Sequence, residues 1–417
     1  MLKARTLEKK VATDKKVKDK TKGESEKIKK NRIKKEQIRK YGQFYTKHPI
    51  LKDKIYEFIL NEPTRILEPC IGRGDLVVFI KEKIKDVKVD MYEIDKDIVL
   101  LDGVDKKKIE YGDFLKKSIE KKYKTIIGNP PYIRTPDGNT YIQFIIKCYK
   151  LLEDEGELIF VVPSDFLKLT SMLSVLNDMM KVGTFTHIFH PNNEKLFDYA
   201  TIDVIVFRYC KTIEKNPKIL YNGKSLYISN NEGLLTFGDV KPKKCKSFDQ
   251  LFDIYVGLVT GRESVYKNKT LGNIDVINGD KIVDKYIFTE KYPSGNKKID
   301  KHLLSHKKEL IERKIRKFNE KNWFEWGALR NIKFIREHKG KDCIYIHTIT
   351  RKKIVAFAGK VGYFGSSLII LIPKAESKIP LAKVLEYLNS ESFMMNYMFA
   401  GRFKIGHTQL SGALYPC

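Results

Sequence analysis

The residues of this chain best suited to chemistry follow a short apolar strand, in the tetrapeptide Asn129–Tyr132. Two consecutive prolines remove two backbone hydrogen-bond donors and fix φ, and Pro130 also keeps Asn129 out of the helical region. The Asn129 carboxamide and the neighbouring carbonyl groups should therefore point outward from a rigid strand end, beside the ring of Tyr132. A carboxamide oxygen, a fixed carbonyl and a flat ring suit a planar group that carries an NH2, such as a nucleobase or an amide. The competing interpretation is an ordinary proline-rich turn with a packed tyrosine.

A second candidate site lies upstream, where Arg65–Leu76 predicts a strand, a glycine-containing turn and a helix. Gly72 and Gly74 allow the backbone to approach a ligand closely, and the first turn of the following helix offers backbone N–H groups. The pattern lacks the third glycine of the dinucleotide-binding fingerprint. It has Glu68 at the strand end instead, and a carboxylate there suits a cationic cofactor better than a pyrophosphate.

Two further strands end in acidic residues that could bind parts of the same ligand. Glu93 follows Gly74 by about twenty residues, the distance at which an acid ending the second strand binds ribose hydroxyls. Asp113 and Phe114 end the third strand, and this pair suits an adenine ring, with Asp113 accepting from the amino group and Phe114 packing on the ring face. Each acid alone could instead cap a helix or face solvent. Three acids at successive strand ends before Asn129 favour a binding site.

The elements that must position these residues alternate between strand and helix from about residue 40 to residue 210. This alternation predicts an α/β domain with a doubly wound, mostly parallel sheet of the Rossmann-like kind and an antiparallel hairpin near its end. Ligands of such sheets bind at the carboxyl ends of the strands, where most of the candidate residues fall. We therefore predict three regions: a basic flexible arm at 1–40, a catalytic domain at 41–215 and a second, mixed α+β domain at 216–417.

The composition of the chain points to an acidic partner. The 417 residues include 80 Lys and Arg against 52 Asp and Glu, a formal net charge of +28, and 42% are hydrophobic. An excess of this size predicts binding to nucleic acid through a salt-dependent phosphate term, although a lysine-rich proteome would give a similar bias. The arm could touch DNA phosphates or be a solvated tail without a specific role. The second domain interleaves basic and aromatic residues, which suits DNA contact, and it contains no recognisable catalytic constellation.

Several functional classes are disfavoured by what the sequence lacks. The six cysteines show no CxxC pair and no CxxC…HxxxH spacing, so we expect no metal site, no disulfide framework and a reducing compartment. No apolar run reaches about 18 residues, and the N-terminus has no apolar segment typical of a secretory signal. These features predict a cytoplasmic protein without a membrane span.

With these motifs in this order, the chain resembles the gamma-class N6-adenine DNA methyltransferases of restriction–modification systems. The resemblance covers most of residues 41–210 and, more loosely, residues 211–417. Tyr41–Thr46 looks like the family's cofactor-covering motif, which would assign Tyr45 and Thr46 to cofactor binding. Glu68–Gly74 looks like the family's motif for the methionine end of the cofactor, Glu93 like its ribose-binding acid, and Asp113–Phe114 like its adenine clamp. Asn129–Tyr132 matches the family's catalytic tetrapeptide, and Phe197 looks like the aromatic residue that packs on the extruded base.

The resemblance implies transfer of a methyl group from S-adenosyl-L-methionine to N6 of an adenine that is flipped out of double-stranded DNA, at a cost of a few kcal/mol. Tyr132 and Phe197 would stack on the base. The Asn129 side-chain oxygen and the Pro130 carbonyl would accept both N6 hydrogens, which pulls the nitrogen toward sp3 and frees its lone pair for in-line attack. This is catalysis by positioning and electrostatics rather than by a general base.

The resemblance also implies a target-recognition role for the second domain, a monomer acting on a short DNA sequence, and a cognate endonuclease against which methylation protects. Two features depart from the family: the basic arm is longer than the family needs, and Cys70–Ile71 is an unusual filling of the glycine turn. Three alternatives stay open: a protein-glutamine N5-methyltransferase that acts on release factors, an RNA adenine methyltransferase, and a non-catalytic DNA-binding protein. The position of the cofactor-covering motif and the long basic region after the core disfavour the release-factor alternative.

Overall fold

The computed structural model describes residues 42–136, 138–193, 195–198, 201–212, 217–239, 241 and 245–416. The predicted basic arm at 1–40 and Tyr41 lie outside these residues. The described chain divides into two compact units. Apart from the gaps, the first consists of residues 42–166, 179–212 and 220–224, and the second of residues 167–178, 217–219 and 225–416. The segment 167–178, which the sequence analysis assigned to the catalytic domain, is thus part of the second unit.

The elements alternate between strand and helix in the first half of the chain. In residues 42–212 they are α1 (Pro49–Glu57), β1 (Arg65–Glu68), α2 (Asp75–Lys83), β2 (Lys88–Glu93), β3 (Ile109–Tyr111), β4 (Tyr123–Gly128), β5 (Arg134–Thr135), β6 (Gly138–Asn139), α3 (Thr140–Lys150), β7 (Leu152–Pro163), α4 (Leu173–Val182), β8 (Thr184–Phe189) and β9 (Val204–Cys210). Short 310 turns occur at Lys106–Lys108, Phe114–Lys116, Phe166–Lys168 and Thr170–Met172.

Short strands dominate the second half of the chain. In residues 217–416 the elements are β10 (Lys218–Tyr221), β11 (Lys224–Asn231), β12 (Leu234–Gly238), β13 (Lys246–Ser247), α5 (Phe248–Leu251), β14 (Phe252–Val256), α6 (Glu263–Tyr266), β15 (Ile274–Gly279), β16 (Ile282–Tyr286), α7 (Lys297–Ser305), α8 (Lys307–Ile311), α9 (Ile332–Glu337), β17 (Asp342–His347), β18 (Ile349–Thr350), β19 (Ala356–Lys360), β20 (Leu368–Pro373), α10 (Leu381–Leu388), α11 (Glu391–Met394), a 310 turn at Met395–Tyr397, β21 (Met398–Phe399), β22 (Arg402–Lys404), α12 (His407–Gly412) and β23 (Leu414–Tyr415).

The first unit is built on a central sheet in which the strands β3-β2-β1-β4-β7-β9-β8 are neighbours in that order. Strands β3, β2, β1, β4 and β7 run parallel, while β9 is antiparallel to both of its neighbours. Residues Leu220 and Tyr221 pair with β8 in parallel. The strand order reverses between β1 and β4, and doubly wound sheets bind ligands at such a reversal. The predicted Rossmann-like α/β fold with an antiparallel hairpin near its end is confirmed.

The central strands are apolar because both of their faces are covered. The five consecutive residues Leu158–Val162 of β7 are each 0% exposed, and every residue of β9 is buried. Strands of a parallel sheet that are buried on both faces read as continuous apolar runs rather than as an alternation. The candidate site residues lie at or just after the carboxyl ends of the strands, outside these apolar runs.

One buried ion pair interrupts this apolar core. The Glu157 carboxylate is 0% exposed, and its Oε2 accepts from Arg208 Nε at 2.8 Å. Its Oε1 accepts from Thr125 Oγ1 at 2.9 Å, and the backbone N–H groups of Leu60 and Asn61 donate to the same carboxylate at 3.1 and 3.2 Å. The pair thus ties the segment after α1 to strands β4, β7 and β9.

The second unit combines a four-stranded antiparallel sheet, in the order β14-β20-β17-β19, with short helices. One hydrophobic core contains both tryptophans, Trp323 and Trp326, and a second contains Val384 and Leu388 of α10. Arg313 is buried, and its guanidinium donates to main-chain oxygens that include that of Thr260 at 2.7 Å. The mixed helix and strand content agrees with the mixed architecture expected for residues 216–417.

Across the described ranges, no helix has the combination of length and apolar character required to cross a bilayer.

Candidate active site

A cavity of about 540 Å³ opens at the carboxyl ends of β1, β2 and β3 in the first unit. Its walls come from the segment 42–45 before α1, the turns that follow the three strands, the segment 131–135 and the start of α3. A volume in this range suits a small organic ligand. Five of the residues predicted to bind a cofactor line the cavity: Tyr45, Gly72, Glu93, Asp113 and Phe114.

The turn after β1 requires glycine at two positions, for different reasons. Gly72 has a φ of 57°, and a Cβ atom there would lie 3.3 Å from the ring of Tyr45. Gly74 has a φ of 90°, and a Cβ atom there would lie 2.4 Å from Cγ2 of Val104. Gly72 therefore lets Tyr45 approach the turn at the cavity wall. Gly74 instead lets the start of α2 pack against Val104, outside the cavity lining.

Glu93, at the end of β2, lines the cavity and is held by the glycine turn. Its Oε2 accepts a hydrogen bond from the backbone N–H of Gly72 at 2.8 Å, and its Oε1 accepts from that of Asp95 at 2.9 Å. Burial raises the pKa of the Glu93 carboxyl, and these two hydrogen bonds oppose the shift. Each carboxylate oxygen can accept a second hydrogen bond, so Glu93 can still bind a pair of hydroxyl groups.

The segment 42–46, which we call the covering segment, lies over the glycine turn and is attached to it at several points. The Tyr45 hydroxyl donates to Gln43 Oε1 at 3.0 Å, and Gln43 Nε2 donates to Asp95 Oδ2 at 3.0 Å. The Arg73 guanidinium lies 5.0 Å from the centre of the Tyr45 ring, within the range of a cation–π interaction. The covering role predicted for this motif matches the position of Tyr45, although cofactor contact itself remains a prediction.

Asp113 and Phe114 line the cavity from the turn after β3. Asp113 Oδ1 accepts from the backbone N–H of Leu115 at 3.0 Å, so this oxygen caps the following 310 turn. The Phe114 ring is only 2% exposed, because the Phe144 ring stacks on it at 5.4 Å and the Tyr92 ring meets it edge-on at 5.2 Å. A ligand can therefore use the second oxygen of Asp113, whereas Phe114 offers an edge more than a free face.

Lys147, on α3, holds this turn in place, and the sequence analysis did not predict it. Its ammonium group donates to the main-chain oxygens of Phe114, Leu115 and Lys117, the last at 2.6 Å. The same group lies 4.6 Å from the centre of the Phe114 ring, and burial lowers the pKa of Lys147. A lysine on an amphipathic helix carries no local signal of such a contact, because its partners lie about thirty residues away.

Glu68 lies behind the cavity wall, while Pro69 and Cys70 line the cavity. The Glu68 side chain is 1% exposed, and its Oε2 has no hydrogen-bond partner among the described residues. Burial raises the pKa of Glu68 well above its ordinary value, and the nearby Glu93 carboxylate adds to the shift. A buried carboxyl group of this kind is stabilised by a proton or by a nearby cation. Direct contact of Glu68 with a cationic ligand stays a prediction.

The Asn129 amide is held in one orientation by three neighbours. Its Nδ2 donates to the main-chain oxygen of Phe44 at 2.6 Å and to Thr46 Oγ1 at 3.0 Å. Its Oδ1 accepts from the Tyr132 hydroxyl at 2.5 Å. The same hydroxyl lies 3.0 Å from the main-chain oxygen of Val161, and its single hydrogen serves one acceptor at a time. Asn129 Oδ1 therefore retains capacity to accept a further hydrogen bond.

Thr46 has a different position from that expected for a cofactor-binding residue. It is 4% exposed, does not line the cavity, and has its hydroxyl directed to the Asn129 amide. Pro130 is buried, and Pro131 forms part of the cavity wall. The tetrapeptide is thus adjacent to the cavity, with the covering segment bonded to its asparagine.

Aromatic rings surround Tyr132. The Phe44 ring stacks on it with centroids 5.4 Å apart and planes 24° apart. The Phe197 and Tyr141 rings meet it at steep angles, with centroids at 6.2 and 6.0 Å. The predicted base-stacking pair, Tyr132 and Phe197, is therefore brought together, and Phe44 joins it as a member that the sequence analysis did not single out. The sequence feature that could have identified Phe44 is its position inside the covering motif, Tyr41–Thr46.

Comparison with known proteins finds a family model and relatives that match part of this chain. Residues 72–197 match the family model described as "Eco57I restriction-modification methylase". The type II methyltransferase M.HincII of Haemophilus influenzae is 26% identical over 238 residues, which cover 51% of this chain and 43% of that protein. A release factor glutamine methyltransferase of Clostridium acetobutylicum is 34% identical over 96 residues, 20% of this chain and 34% of that protein. The chain thus matches less than half the length of either relative.

Among solved structures, the type IIL restriction-modification enzyme MmeI in complex with DNA is similar to this chain, with a TM-score of 0.53. The match covers 86% of this chain and 63% of that one, at 12% sequence identity, and supports the fold alone. The family predicted from the motifs is confirmed by the matched model and by the type II relative. Residues 72–197 of this chain thus match the restriction–modification methylase family.

Proposed function

We propose that this chain transfers a methyl group from S-adenosyl-L-methionine to N6 of an adenine within a short sequence of double-stranded DNA. The observation that carries the proposal is the fixed Asn129 amide. Its nitrogen is bound by the covering segment, so its oxygen is the end that remains able to accept from a substrate. An acceptor in this orientation suits an exocyclic NH2 group, which is what an adenine offers.

The residues around the cavity fit the proposed methyl donor. Glu93 offers two oxygens to ribose hydroxyls, and Asp113 offers Oδ2 to the amino group of an adenine ring. The Thr140 hydroxyl is buried at the cavity wall without a hydrogen-bond partner among the described residues, and a polar ligand would satisfy it. The unpartnered Glu68 oxygen is an acceptor behind the cavity wall, and a cationic donor nearby would favour the ionised form of this buried carboxyl group. When bound, S-adenosyl-L-methionine supplies an activated methyl group on a positively charged sulfur.

The tetrapeptide then positions the substrate amino group and does not act as a general base. Asn129 Oδ1 and the Pro130 carbonyl would accept both N6 hydrogens, which localises the nitrogen lone pair and orients it. The Tyr132 hydroxyl can turn its single hydrogen from Asn129 Oδ1 to the main-chain oxygen of Val161. This turn frees an acceptor position on Asn129 without moving the ring. The proton leaves the nitrogen only after methyl transfer.

Double-stranded DNA is the proposed partner, because the +28 charge of the chain favours a polyanion. We propose that the second unit recognises the target sequence and that the chain acts as a monomer whose methylation protects sites from a cognate endonuclease. Extrusion of the target base is part of the proposal, since N6 is inaccessible to Asn129 within a duplex.

A protein-glutamine N5-methyltransferase is the second candidate. The similarity of 96 residues to a release factor glutamine methyltransferase favours it, because an amide NH2 could occupy the same acceptors. The +28 charge and the large second unit favour DNA instead. The two candidates differ in which macromolecule receives a labelled methyl group.

Single-molecule sequencing of DNA from cells that express the chain tests the proposal, because it reads the modified base and its sequence context together. We expect N6-methyladenine at one short motif, and its absence from cells that express Asn129→Ala. Asn177→Ala is the matched control, since the side chain of Asn177 accepts an exposed hydrogen bond from Asn230 and lies outside the proposed active site. Unmodified DNA in all three cultures, or modification that survives Asn129→Ala, would refute the proposal.

A further inference from the structure

The ring of Phe44 fills the space beside Tyr132 where an extruded base would have to stack. Phe44 lies nearly parallel to Tyr132 at 5.4 Å and also contacts Phe197, with centroids 5.8 Å apart and planes 56° apart. Phe197 itself stands almost perpendicular to Tyr132. A base that stacked on Tyr132 and touched Phe197 with its edge would have to lie in this position. The Phe44 ring therefore occupies the place that such a base would take.

The spacing leaves no room for a second flat group on this side of Tyr132. Stacked rings with centroids about 4.5 to 7 Å apart are already in contact, so a base could enter only by separating them. Among the described residues, the other aromatic rings against Tyr132 are those of Tyr141 and Phe197, which are 4% and 6% exposed. Phe44 is half-buried and lies in a segment outside any helix or strand, so it is the ring that can leave most easily.

The attachment of Phe44 allows its side chain to move while its backbone stays. Its main-chain oxygen accepts from Asn129 Nδ2, and the next residues are held by the Tyr45–Gln43 and Thr46–Asn129 hydrogen bonds. A rotation about χ1 therefore displaces the ring and keeps the Asn129 amide oriented. Side-chain rotations of this kind are faster than loop opening.

We propose that Phe44 is a gate for the base: its ring and the target adenine occupy the same position in turn, and the adenine binds by displacing it. This inference rests on the proposed DNA-adenine activity. It assigns Phe44 a positioning and gating role, since the residue excludes other groups from the Asn129 acceptors until a base replaces it. The stack that must be broken is worth about 0.5 to 1.5 kcal/mol, which corresponds to roughly twofold to tenfold in base capture.

Two substitutions of Phe44 in the intact chain test the gate, one to a smaller and one to a larger side chain. The probe is a duplex that contains the methylated motif found by sequencing, with 2-aminopurine in place of the target adenine. With Phe44→Val the slot is partly open, and we expect a roughly twofold to tenfold rise in 2-aminopurine emission at subsaturating protein and a matching fall in the KM for DNA. With Phe44→Trp we expect lower emission and a higher KM.

A ring that merely forms a wall of the base pocket would give another pattern, because both substitutions would then weaken capture. Emission with Phe44→Val that is equal to or below that of the unsubstituted chain overturns the gate. Phe44→Leu is judged by the same criterion if the valine variant unfolds. Phe79→Val, on α2, is the matched control for loss of a half-buried phenylalanine. Failure of the gate is distinguishable from failure of the proposed function, because the latter leaves no methylated motif at all.

Discussion

Replacing Thr46 with valine separates two roles for the covering segment. Thr46 was predicted to bind the cofactor, but its hydroxyl accepts from Asn129 Nδ2 at 3.0 Å and does not line the cavity. Valine keeps the shape of the side chain and removes this acceptor, which leaves the Phe44 main-chain oxygen as the partner of Nδ2. A hydrogen bond of this kind contributes about 0.5 to 1.5 kcal/mol.

The expected consequence is a loss of amide orientation. In the proposed mechanism Asn129 presents its oxygen to the substrate while its nitrogen is bound by the covering segment, so a weaker anchor would populate other orientations of the amide. We expect kcat to fall roughly twofold to tenfold, with the KM for DNA and the affinity for S-adenosyl-L-methionine unchanged. Thr46→Ser is the matched control, because it keeps the hydroxyl and should retain most of the activity.

Two measurements decide between the roles. Single-turnover methyl transfer on a saturating DNA duplex reports the orientation of the amide, and titration calorimetry with S-adenosyl-L-methionine reports cofactor binding. If Thr46→Val weakens cofactor binding and leaves the single-turnover rate unchanged, then Thr46 acts on the cofactor and the anchoring argument is wrong. An unchanged rate together with unchanged binding would also refute it.

Two further predictions concern the buried charges. Arg208→Met leaves the Glu157 carboxylate buried and without its cation, so urea denaturation should show a loss of about 3 to 5 kcal/mol in the free energy of unfolding. Adding Glu157→Gln should restore part of that loss, and an additive double variant would contradict the pairing. Burial raises the pKa of Glu93 above its ordinary value of 4.5, so its ionised fraction, and with it cofactor affinity, should increase as the pH rises from 4.5 through the raised pKa. Calorimetry on Glu93→Gln should show a weaker dependence over that window, and an identical pH profile would contradict the assignment.

Local sequence was sufficient to place residues that end or follow a strand. Glu93 and Asp113 end or follow β2 and β3, and the parallel sheet brings such positions to one edge. Gly72 was identified because only glycine combines a positive φ with close approach of another group, here the Tyr45 ring. The cavity therefore forms where strand ends alone predicted it.

Residues whose role depends on distant partners could not be placed from sequence. The motif containing Gly74 does not show that its missing side chain makes room for Val104. The position of Glu68 behind the wall depends on how the chain turns at Pro69, and the contacts of Lys147 depend on a turn about thirty residues away. Burial and three-dimensional proximity decide these cases, and periodicity carries no information on either.

The limits of a helix can also depend on distant packing contacts that the local sequence does not show. Residues 166–182 do not form one continuous helix, because two 310 turns precede α4, which begins at Leu173. Phe166 and Met172 are both 0% exposed, so tertiary packing fixes these turns against the helical preference of the segment. The limits of α10 are readable locally, because Pro380 directly precedes Leu381 and the apolar positions of the helix recur at helical spacing.

The most direct test of the central claim is nucleoside analysis by mass spectrometry of DNA incubated with the purified chain and S-adenosyl-L-methionine that carries a deuterated methyl group. The DNA should contain the motif found by sequencing. The proposed acceptors at Asn129 and Pro130 predict label on an exocyclic amino nitrogen, and the resemblance of the motifs to adenine methyltransferases predicts that this is N6-methyldeoxyadenosine, with no label when Asn129 is alanine. Label in a methylated cytosine, label in a release factor instead of DNA, or equal incorporation by the alanine variant would contradict the account.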